Sequence, residues 1–504
     1  MKYGALPDTP ATLAALVHAR DALGDVARPD ADTHLTLSLL LLKLASDAHQ
    51  ARTPPSAQRS FDRLHSLPFC VPAHARYQTL FRQRHVPGNG PRVMDALRVF
   101  TLANPRKLGG IFPALQLGDA LPADEAQRDQ ALLQLLERLA LPALDFRAQD
   151  TLGNACISDA VEGLLERSVA SRSAAGPALV PAAVAWLMAA LTQPAPHDAV
   201  YDPLCRHGAL LLAAWRRMRG EGNGAAAGTQ VRHPLYGQEA DPMLCALARL
   251  RLLLHGCDSP HLRSRDALEE PLLEDGRLQR FDVVLACPPL HLKWDATRAS
   301  ADPHLRFLHG TAPRQWAHAA LIQHMLATLD PQRGRMAVVV PHGVLFRDGE
   351  EARIREAWLE ANRVETVIGL PDRLFGGATV ATALLVFRVA RSDETVLFID
   401  ARNMTTPGKR GARLSPQAAA ALHRLCTERS NVPGVAHLAR LDEITANHGN
   451  LSIARYVRPA PARNPPDLAT LRSRRAALEA ALAAVQRELN AELDALEREF
   501  ANLA

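Results

Sequence analysis

The sequence predicts an α/β protein built around a doubly wound sheet, with a helical domain before the sheet and a long helix after it. Between about residues 175 and 400, short β-rich runs alternate with helical patterns. Residues 1–150 show helical patterning alone, and the last part of the chain carries a regular leucine stripe. Alternating strands and helices are typical of a parallel sheet covered by helices on both faces. We therefore expect a Rossmann-like central domain.

Composition narrows the class of protein. The 504 residues are 47% hydrophobic and 22% charged, an ordinary globular balance that fits about three domains of roughly 150 residues. The net charge of +5 permits nucleic-acid binding without indicating it. No apolar run approaches the ~20 residues of a membrane span, and the N-terminus lacks a signal pattern, so we expect a cytoplasmic protein without a membrane partner. The dispersed cysteines form no Cys-x-x-Cys pair, which predicts reduced thiols and no metal site.

The first predicted domain, residues 1–150, is helical. Its segment 33–44 is too apolar for an exposed helix, so we expect that helix to be buried. Pro54-Pro55 and the proline- and glycine-rich stretch 87–91 interrupt the helical pattern. No catalytic constellation occurs in this part of the sequence.

The second predicted domain, residues 151–410, contains the sheet. Helical patterns at 241–254 and 316–329 lie between seven strand-like runs: 199–201, 235–238, 281–286, 335–340, 364–368, 383–389 and 396–399. Ligands bind such sheets at the carboxyl ends of the strands. Asp202, Glu239, Asp266 and Cys287 all follow predicted strands closely. A single acidic residue there is commonly a helix cap, but four polar or thiol side chains in succession favour a pocket.

The chain ends in a mixed region and a helix. Residues 411–460 have no single periodicity, and prolines between 459 and 466 mark a linker. In the last predicted domain, 461–504, a helix is expected from about 467 to 503. Its apolar residues recur three and four apart on one stripe, as in a coiled coil: Leu478, Leu482, Val485, Leu489, Leu493, Leu496, Phe500 and Leu503. The stripe needs either a partner helix or a place on its own domain.

Three long motifs carry a resemblance to a known family. They are YGQEADP at 236–242, VPHGVLFR at 340–347 and NLSIARYV at 450–457. With them the chain resembles, over most of its length, the methylation subunit of type I restriction-modification systems, a group of N6-adenine DNA methyltransferases. The resemblance implies a Rossmann-like methyltransferase domain that uses S-adenosylmethionine, DNA as a partner, and a C-terminal helix that docks on a specificity subunit. An intact methylation subunit or a restriction subunit are further partners that it implies.

The resemblance assigns a cofactor loop to residues 202–209. The family pattern Asp-Pro-x-Cys-Gly-Ser-Gly-Gly corresponds to DPLCRHGA, so Asp202 and Gly208 are retained and Arg206 replaces a glycine. Glycines suit a backbone that passes close to the cofactor and adopts positive φ. Arg206 adds a side chain and a cation beside a positively charged sulfonium, so we expect weaker binding of S-adenosylmethionine. An alternative is that Arg206, His207 and the turn amides hold an anion.

The resemblance assigns the remaining cofactor contacts to two acidic residues and an upstream loop. Glu239 stands where the family's carboxylate accepts both ribose hydroxyls. Asp266 stands where its third acidic residue contacts the adenine ring. The family's Gly-x-Phe-Tyr-Thr-Pro corresponds to GPALVP at 176–181, so Val180 and its neighbours lack the aromatic and hydroxyl groups.

The catalytic motif of the family is Asn-Pro-Pro followed by an aromatic residue. Here it corresponds to Cys287, Pro288, Pro289 and Leu290. The Asn side chain and the adjacent proline carbonyl accept the amino hydrogens of adenine, whereas a thiol is a weak acceptor. Losing one such group costs about 10²–10³ in rate. Leu290 forfeits the stacking on a flipped base, about 1–3 kcal/mol. As an alternative to a buried filler, Cys287 could be a nucleophile, as in cytosine-C5 enzymes.

We therefore expect a relative of the type I methylation subunit that has lost catalysis and acts in DNA binding or assembly within a restriction-modification or phage-defence complex. The alternative is an active adenine-N6 methyltransferase with an unusual pocket. A third hypothesis is a regulator that binds another nucleotide through Arg206 and Glu239. Lys293 and Trp294 could contact DNA, or they could be a surface cation and a core side chain.

Overall fold

The computed structural model describes residues 9–24, 29–51, 69–112, 121–145, 155–170, 179–220, 235–257, 260–375, 380–408, 411–458 and 468–501. The chain divides into two compact units, Met1–Val457 and Arg458–Ala504. The finer domain boundaries at 150 and 410 stay predictions. Pro54, Pro55 and the prolines of the 459–466 linker lie outside the described residues. Within the described ranges, no helix is long and apolar enough to cross a membrane.

Helices make up the first part of unit Met1–Val457, as predicted. The helix that contains segment 33–44 is buried as expected, and Leu39 and Leu42 have no exposed surface. Helix Asn89–Ala103 begins inside the predicted break, after Gly88 at φ 92°. The helices are α1 (Thr9–Asp21), α2 (Pro29–Ala51), α3 (Tyr77–Arg82), α4 (Asn89–Ala103), α5 (Pro105–Leu108), α6 (Glu125–Leu139) and α7 (Ala155–Ala170).

Nine strands of the described residues form one mostly parallel sheet in the order β9-β8-β6-β7-β5-β4-β1-β2-β3. They are β1 (Val200–Asp202), β2 (Leu235–Gln238), β3 (His261–Arg263), β4 (Val283–Ala286), β5 (Arg335–Pro341), β6 (Val364–Gly369), β7 (Thr382–Arg388), β8 (Thr395–Asp400) and β9 (Ala436–Arg440). The remaining helices of this unit are α8 (Ala182–Thr192), α9 (Ala209–Met218), α10 (Pro242–Leu254), α11 (His318–Ala327), α12 (Glu350–Glu360), α13 (Pro416–Glu428), α14 (Leu441–Ala446) and α15 (Ile453–Tyr456).

Helices cover both faces of the sheet, which confirms the doubly wound α/β fold. Val284 and Ala286 of β4 pack toward α11 and α12, whereas Val283 and Leu285 pack toward α8, α9 and α13. Alternate residues of a strand point to opposite faces, so a strand buried on both sides is a continuous apolar run. This is why the short apolar runs of the sequence identified the strands.

All seven predicted strands are present, with ends shifted by a few residues. The expectation of a parallel sheet needs correction, because β7 is antiparallel to β5 and β6 and β9 is antiparallel to β8. A parallel neighbour is usually reached through a crossover helix, whereas the described residues between β6 and β7 contain no helix. Strands β3 and β9 had not been predicted. Strand β3 is a short edge strand whose outer residues, His261 and Arg263, are exposed.

Helix α10 connects the two cores of this unit. Its Leu247 and Leu250 pack with the N-terminal helices, and its Ala248 and Leu252 pack with the sheet. The same helix follows directly on Glu239 at the end of β2. The sheet edge formed by the carboxyl ends of β1, β2, β3 and β4 is thereby braced by the helical part of the chain.

The unit Arg458–Ala504 contains one long helix, α16 (Leu468–Ala501), close to the predicted bounds 467–503. Its predicted stripe is exposed along the residues whose side chains are described. Leu478, Leu482, Val485, Leu489 and Leu493 are each at least half exposed, with Leu478 the most exposed at 65%. An isolated helix with an apolar stripe of this kind needs a partner surface.

Candidate cofactor and catalytic site

The candidate site lies at the carboxyl ends of β1, β2 and β4. Strand pairing sets Asp202 beside Gly237, and Val283 and Val284 of β4 lie beside β1 on its other side. The residues that follow these strands therefore share one edge of the sheet. The structure brings Asp202, Arg206, Glu239 and Cys287 together there.

The loop after β1 has the left-handed backbone conformation that favours glycine. Arg206 has φ 47° and Gly208 has φ 73°, both in the left-handed region. The Gly208 N–H donates to the Cys205 carbonyl at 2.6 Å, and the Cys205 N–H donates to the Gln238 carbonyl at 2.8 Å. A side chain on a left-handed residue costs about 1–2 kcal/mol. The backbone conformation for which the family pattern uses glycine is thus retained, and Arg206 adopts it with a long cationic side chain.

Glu239 ties this loop to the start of α10. Its Oε2 accepts the Arg206 N–H at 3.1 Å, and its Oε1 accepts the Asp241 N–H at 3.0 Å. Burial raises the pKa of Glu239, while these two hydrogen bonds and the charge of Arg206 lower it in part. The Arg206 amide is consequently already engaged, which disfavours the alternative that the turn amides hold an anion.

The space between these residues is nearly filled. Asp202, Arg206, His207, Cys287 and Val180 line a cavity of about 10 Å³. A cavity of that size has room for about one water molecule. S-adenosylmethionine is many times larger than this cavity, which agrees with the expectation that the loop binds the cofactor more weakly.

Ionisation in this small cavity is governed by burial. Burial raises the pKa of Cys287 to about 12, and the nearby Arg206 charge lowers it only in part. Burial also raises the pKa of Asp202 to about 8. Both groups are therefore protonated at neutral pH. Because a thiolate is the reactive form of cysteine, the neutral Cys287 thiol argues against the nucleophile alternative.

The turn at residues 287–290 is held by a histidine that the sequence motifs do not identify. The His318 Nε2–H donates to the Pro289 carbonyl at 3.0 Å. Burial lowers the pKa of His318 to about 4, so the ring is neutral at pH 7. Pro288 is buried, Leu290 is half-buried and Cys287 is 6% exposed. The small side chain of Cys287 stands at the family's asparagine position. Leu290, which has no aromatic ring, stands at the family's aromatic position.

Upstream of β1, the described part of the loop at 176–181 is apolar. Leu179 and Val180 line the small cavity and also a neighbouring one of about 160 Å³ between α8 and α9. Residues 176–178 lie outside the described part of the chain. The described side chains offer no hydroxyl or aromatic group toward Cys287.

Asp266 lies apart from this cluster. Its side chain is exposed, and its Oδ1 accepts the Leu268 N–H at 2.8 Å, as in a capping turn. It lines a separate cavity of about 350 Å³ together with Trp294 and Phe307. Trp294 donates its indole N–H to the Ala312 carbonyl at 3.2 Å, whereas Lys293 is exposed.

The loop after β1 also contacts an ion cluster that the sequence motifs do not identify. Glu162 of α7 accepts from Arg251 Nε at 2.7 Å and contacts His255 Nε2 at 2.9 Å. Arg251 also donates to the His207 carbonyl at 2.9 Å. His255 belongs to LLHG at 253–256, but its partner Glu162 is 93 residues away in the chain. Among the described residues, no group of histidine, cysteine and acidic side chains is arranged to hold a metal ion.

Comparisons with known proteins agree with this architecture. A family model described as N-6 DNA Methylase matches residues 152–464. The type I restriction enzyme MjaVII methylase subunit of Methanocaldococcus jannaschii is 23% identical over 472 residues, which span 88% of this chain and 78% of the relative. The MpnII methylase subunit of Mycoplasma pneumoniae is 28% identical over 271 residues, about half of each chain.

Among solved structures, the methyltransferase subunit of a type I restriction-modification system from Streptococcus thermophilus has a TM-score of 0.74 and 25% identity. That match covers 90% of this chain and 100% of the other. The resemblance predicted from the three sequence motifs is confirmed. The chain belongs to the N-6 DNA methylase family, and the relatives found are methylase subunits of type I restriction-modification systems.

Proposed function

We propose that this protein is a methylase-type subunit that has lost methyl transfer and serves a restriction-modification or phage-defence complex through DNA binding and assembly. One observation carries the proposal. Arg206 occupies a glycine conformation and places its charge beside Cys287, in a cavity of about 10 Å³ where the cofactor's methionine end belongs in the family.

Electrostatics supports loss of cofactor binding. The sulfonium of S-adenosylmethionine is positive, and the Arg206 guanidinium is a permanent cation at the same place. Two like charges at close range in a poorly solvated site repel each other. Glu239 keeps the carboxylate that binds ribose in the family, so the change is confined to the part of the site nearest the methyl group.

The catalytic turn supports loss of methyl transfer. Adenine N6 is a poor nucleophile, and the family's asparagine accepts a hydrogen bond from the amino group, which shifts charge onto N6 as the methyl group transfers. The Cys287 thiol is protonated and a weak hydrogen-bond acceptor. Removal of one preorganised acceptor costs about 10²–10³ in rate, and Leu290 provides no base stacking.

The assembly role rests on the C-terminal helix and on the family. Leu482, Val485 and Leu489 form an exposed apolar stripe on α16. In the family this helix docks on a specificity-type subunit, and we propose the same partner here. DNA, an intact methylation subunit and a restriction subunit are the other partners of such a complex.

The test uses the full chain with and without a specificity-type subunit. S-adenosylmethionine binding is measured by titration calorimetry, and transfer of a labelled methyl group to adenine is measured on duplex DNA. We expect neither in the native chain. The variant Arg206→Gly, Cys287→Asn, Leu290→Phe restores the family residues and should gain binding or transfer.

The same experiment separates the alternative function, an active adenine-N6 methyltransferase with an unusual pocket. Retention of Glu239 favours that alternative, because the family's carboxylate for the ribose hydroxyls is kept at this position. Labelled adenine in DNA treated with the native chain would contradict the proposed loss of catalysis. Binding of duplex DNA by the native complex is measured in parallel and tests the DNA-binding role separately from catalysis.

A further inference from the structure

A further cavity lies at the opposite edge of the sheet from the candidate site. Its volume is about 380 Å³, and it is lined by residues that precede parallel strands, among them Arg280 before β4, Leu329 before β5 and Arg363 before β6. The candidate site lies beyond the carboxyl ends of the strands. The cavity, which we name the amino-edge groove, is therefore separate from the cofactor and catalytic residues.

The lining of the amino-edge groove is mixed, with apolar side chains beside polar ones such as Gln323. Leu326, Leu329 and Val389 line it together with Trp358 of α12. Trp358 is 2% exposed, and its Nε1 has no hydrogen-bond partner among the described residues. Leaving a buried donor unpaired costs about 1–3 kcal/mol.

Two leucines extend the apolar surface to the rim. Leu305 and Leu308 both line the groove and are each 65% exposed. Leu305 also has φ 54°, a left-handed conformation that is costly for a leucine. Both leucines leave most of their apolar surface in contact with solvent, and Leu305 does so in a strained conformation. They are suited to contact a partner.

The segment that carries these leucines is rigidly held. Arg306 forms a buried salt bridge with Asp302 at 2.8 Å, and both side chains are 4% exposed. Arg306 also donates to the carbonyls of Ala267 and Leu268, at 3.0 and 2.9 Å. Preorganisation of this kind lowers the entropy lost when a partner binds.

The charged side chains that line the amino-edge groove are arginines. The lining includes Arg280 and Arg363 and contains no aspartate or glutamate, although Asp330 beside the groove contributes a negative charge near Arg280. Arg280 and Arg363 donate to main-chain carbonyls, of Leu329 at 3.1 Å and Val389 at 2.6 Å. In the part of the chain described, neither guanidinium has a carboxylate within salt-bridge distance. The charge of Arg306, by contrast, is neutralised by Asp302.

We propose that the amino-edge groove docks an acidic, leucine-bearing helical segment of a partner protein. Apolar side chains of the segment would fill the groove beside Leu305 and Leu308, and its carboxylates would meet Arg280 and Arg363. Duplex DNA matches the cations but offers no apolar side chain for the interior. Docking at this edge leaves the carboxyl edge of the sheet free for DNA.

The test measures binding of fluorescent helical peptides to the full-length chain by anisotropy. One peptide carries leucine and glutamate, a second leucine and lysine, and a third serine and glutamate at the same positions. We expect binding of the leucine–glutamate peptide only. Arg280→Glu with Arg363→Glu should weaken it at least about tenfold, whereas Arg353→Glu, an exposed substitution on α12 outside the groove, should not.

A second variant separates binding from folding. Leu305→Gly removes a rim side chain and relieves the left-handed strain. The variant should therefore bind the leucine–glutamate peptide more weakly, with no decrease in the melting temperature of the protein. The proposal is overturned by equal affinity for the glutamate and lysine peptides, by no binding, or by affinity unchanged in both groove variants. Two other results would also overturn it. In the first, the groove variants bind the peptide normally but lose affinity for duplex DNA. In the second, they bind the peptide normally but no longer self-associate.

Discussion

At the scale of single residues, Arg206 combines two effects that can be separated by mutation. Its φ of 47° favours glycine, and its guanidinium lies near Asp202, Glu239 and Cys287. Arg206→Gly and Arg206→Ala both remove the charge, but only glycine relieves the left-handed strain. We expect the glycine variant to be more stable than the alanine variant by about 1 kcal/mol. Urea unfolding of both proteins measures the difference, and equal stabilities would show that the loop is not strained.

Cys287 provides a second residue-scale prediction, on thiol reactivity. Its pKa is raised to about 12 by burial, whereas Cys70 is exposed. Reaction with iodoacetamide at pH 8 requires an accessible thiolate. Mass spectrometry of the briefly treated native chain should therefore find Cys70 modified and Cys287 intact, and denaturant should remove the protection. Equal rates for the two thiols in the native chain would restore the nucleophile alternative.

At the scale of elements, the sequence predicts best what local pattern determines. The strands of the sheet centre are apolar runs buried on both faces, so β4 and β5 could be identified without the structure. The direction of β7 could not, because an apolar run is the same in a parallel and an antiparallel ladder. Strand β3 was missed because an edge strand with two exposed residues lacks a strong pattern.

The same limit applies to the site. Asp202, Glu239 and Cys287 could be placed because each follows a strand, and parallel strands bring their ends together. Glu162 and His318 act on residues far along the chain, 89 positions for Arg251 and 29 for Pro289. Such contacts depend on tertiary packing and leave no local signal. Asp266, although it follows β3, projects into another cavity, because position after a strand does not fix side-chain direction.

The C-terminal helix gives a prediction at this scale. Leu482 and Leu489 of α16 are 60% and 54% exposed, so replacing them should not unfold the chain. The variant Leu482→Glu with Leu489→Glu should lose co-purification with a specificity-type subunit, since charges in an apolar helix seam oppose packing. The matched control is Ala484→Glu with Ala491→Glu, which places two glutamates seven residues apart on the opposite face of the helix. Unchanged co-purification in the leucine variant would exclude α16 as the docking element.

At the scale of the whole molecule, the helical part and the sheet form one compact unit, and Glu162 provides a charged contact between them. Helix α7 supplies Glu162, α10 supplies Arg251, His255 follows α10 directly, and Arg251 reaches the loop after β1. The apolar side chains of α10, which pack with both the N-terminal helices and the sheet, also couple these two parts of the chain. We infer that the helices and the sheet unfold together rather than as separate domains.

Glu162→Gln tests this coupling. Arg251 would keep its charge in a nearly buried place, with 7% of its side chain exposed, so we expect a loss of about 3 kcal/mol in the free energy of unfolding. Far-UV dichroism and tryptophan fluorescence should both report the loss, at coincident urea midpoints. Glu166→Gln, on the exposed face of the same helix, should change stability by less than about 0.5 kcal/mol. Separate midpoints for the two probes would show independent domains instead.

The pH dependence of that loss follows from the ionisation of Glu162. Burial alone would raise its pKa, but the charge of Arg251 and hydrogen bonds from His255 and Arg251 hold the pKa well below its usual value of 4.5. A carboxylate with a depressed pKa stabilises the fold fully above its unfolded pKa, and this stabilisation is lost as the pH falls toward the folded value. The stability difference between the native chain and Glu162→Gln should therefore be constant from pH 6 to 7 and shrink below about pH 4.5. A difference that grows on acidification would mean that Glu162 is protonated in the fold and that its contact with Arg251 is not an ion pair.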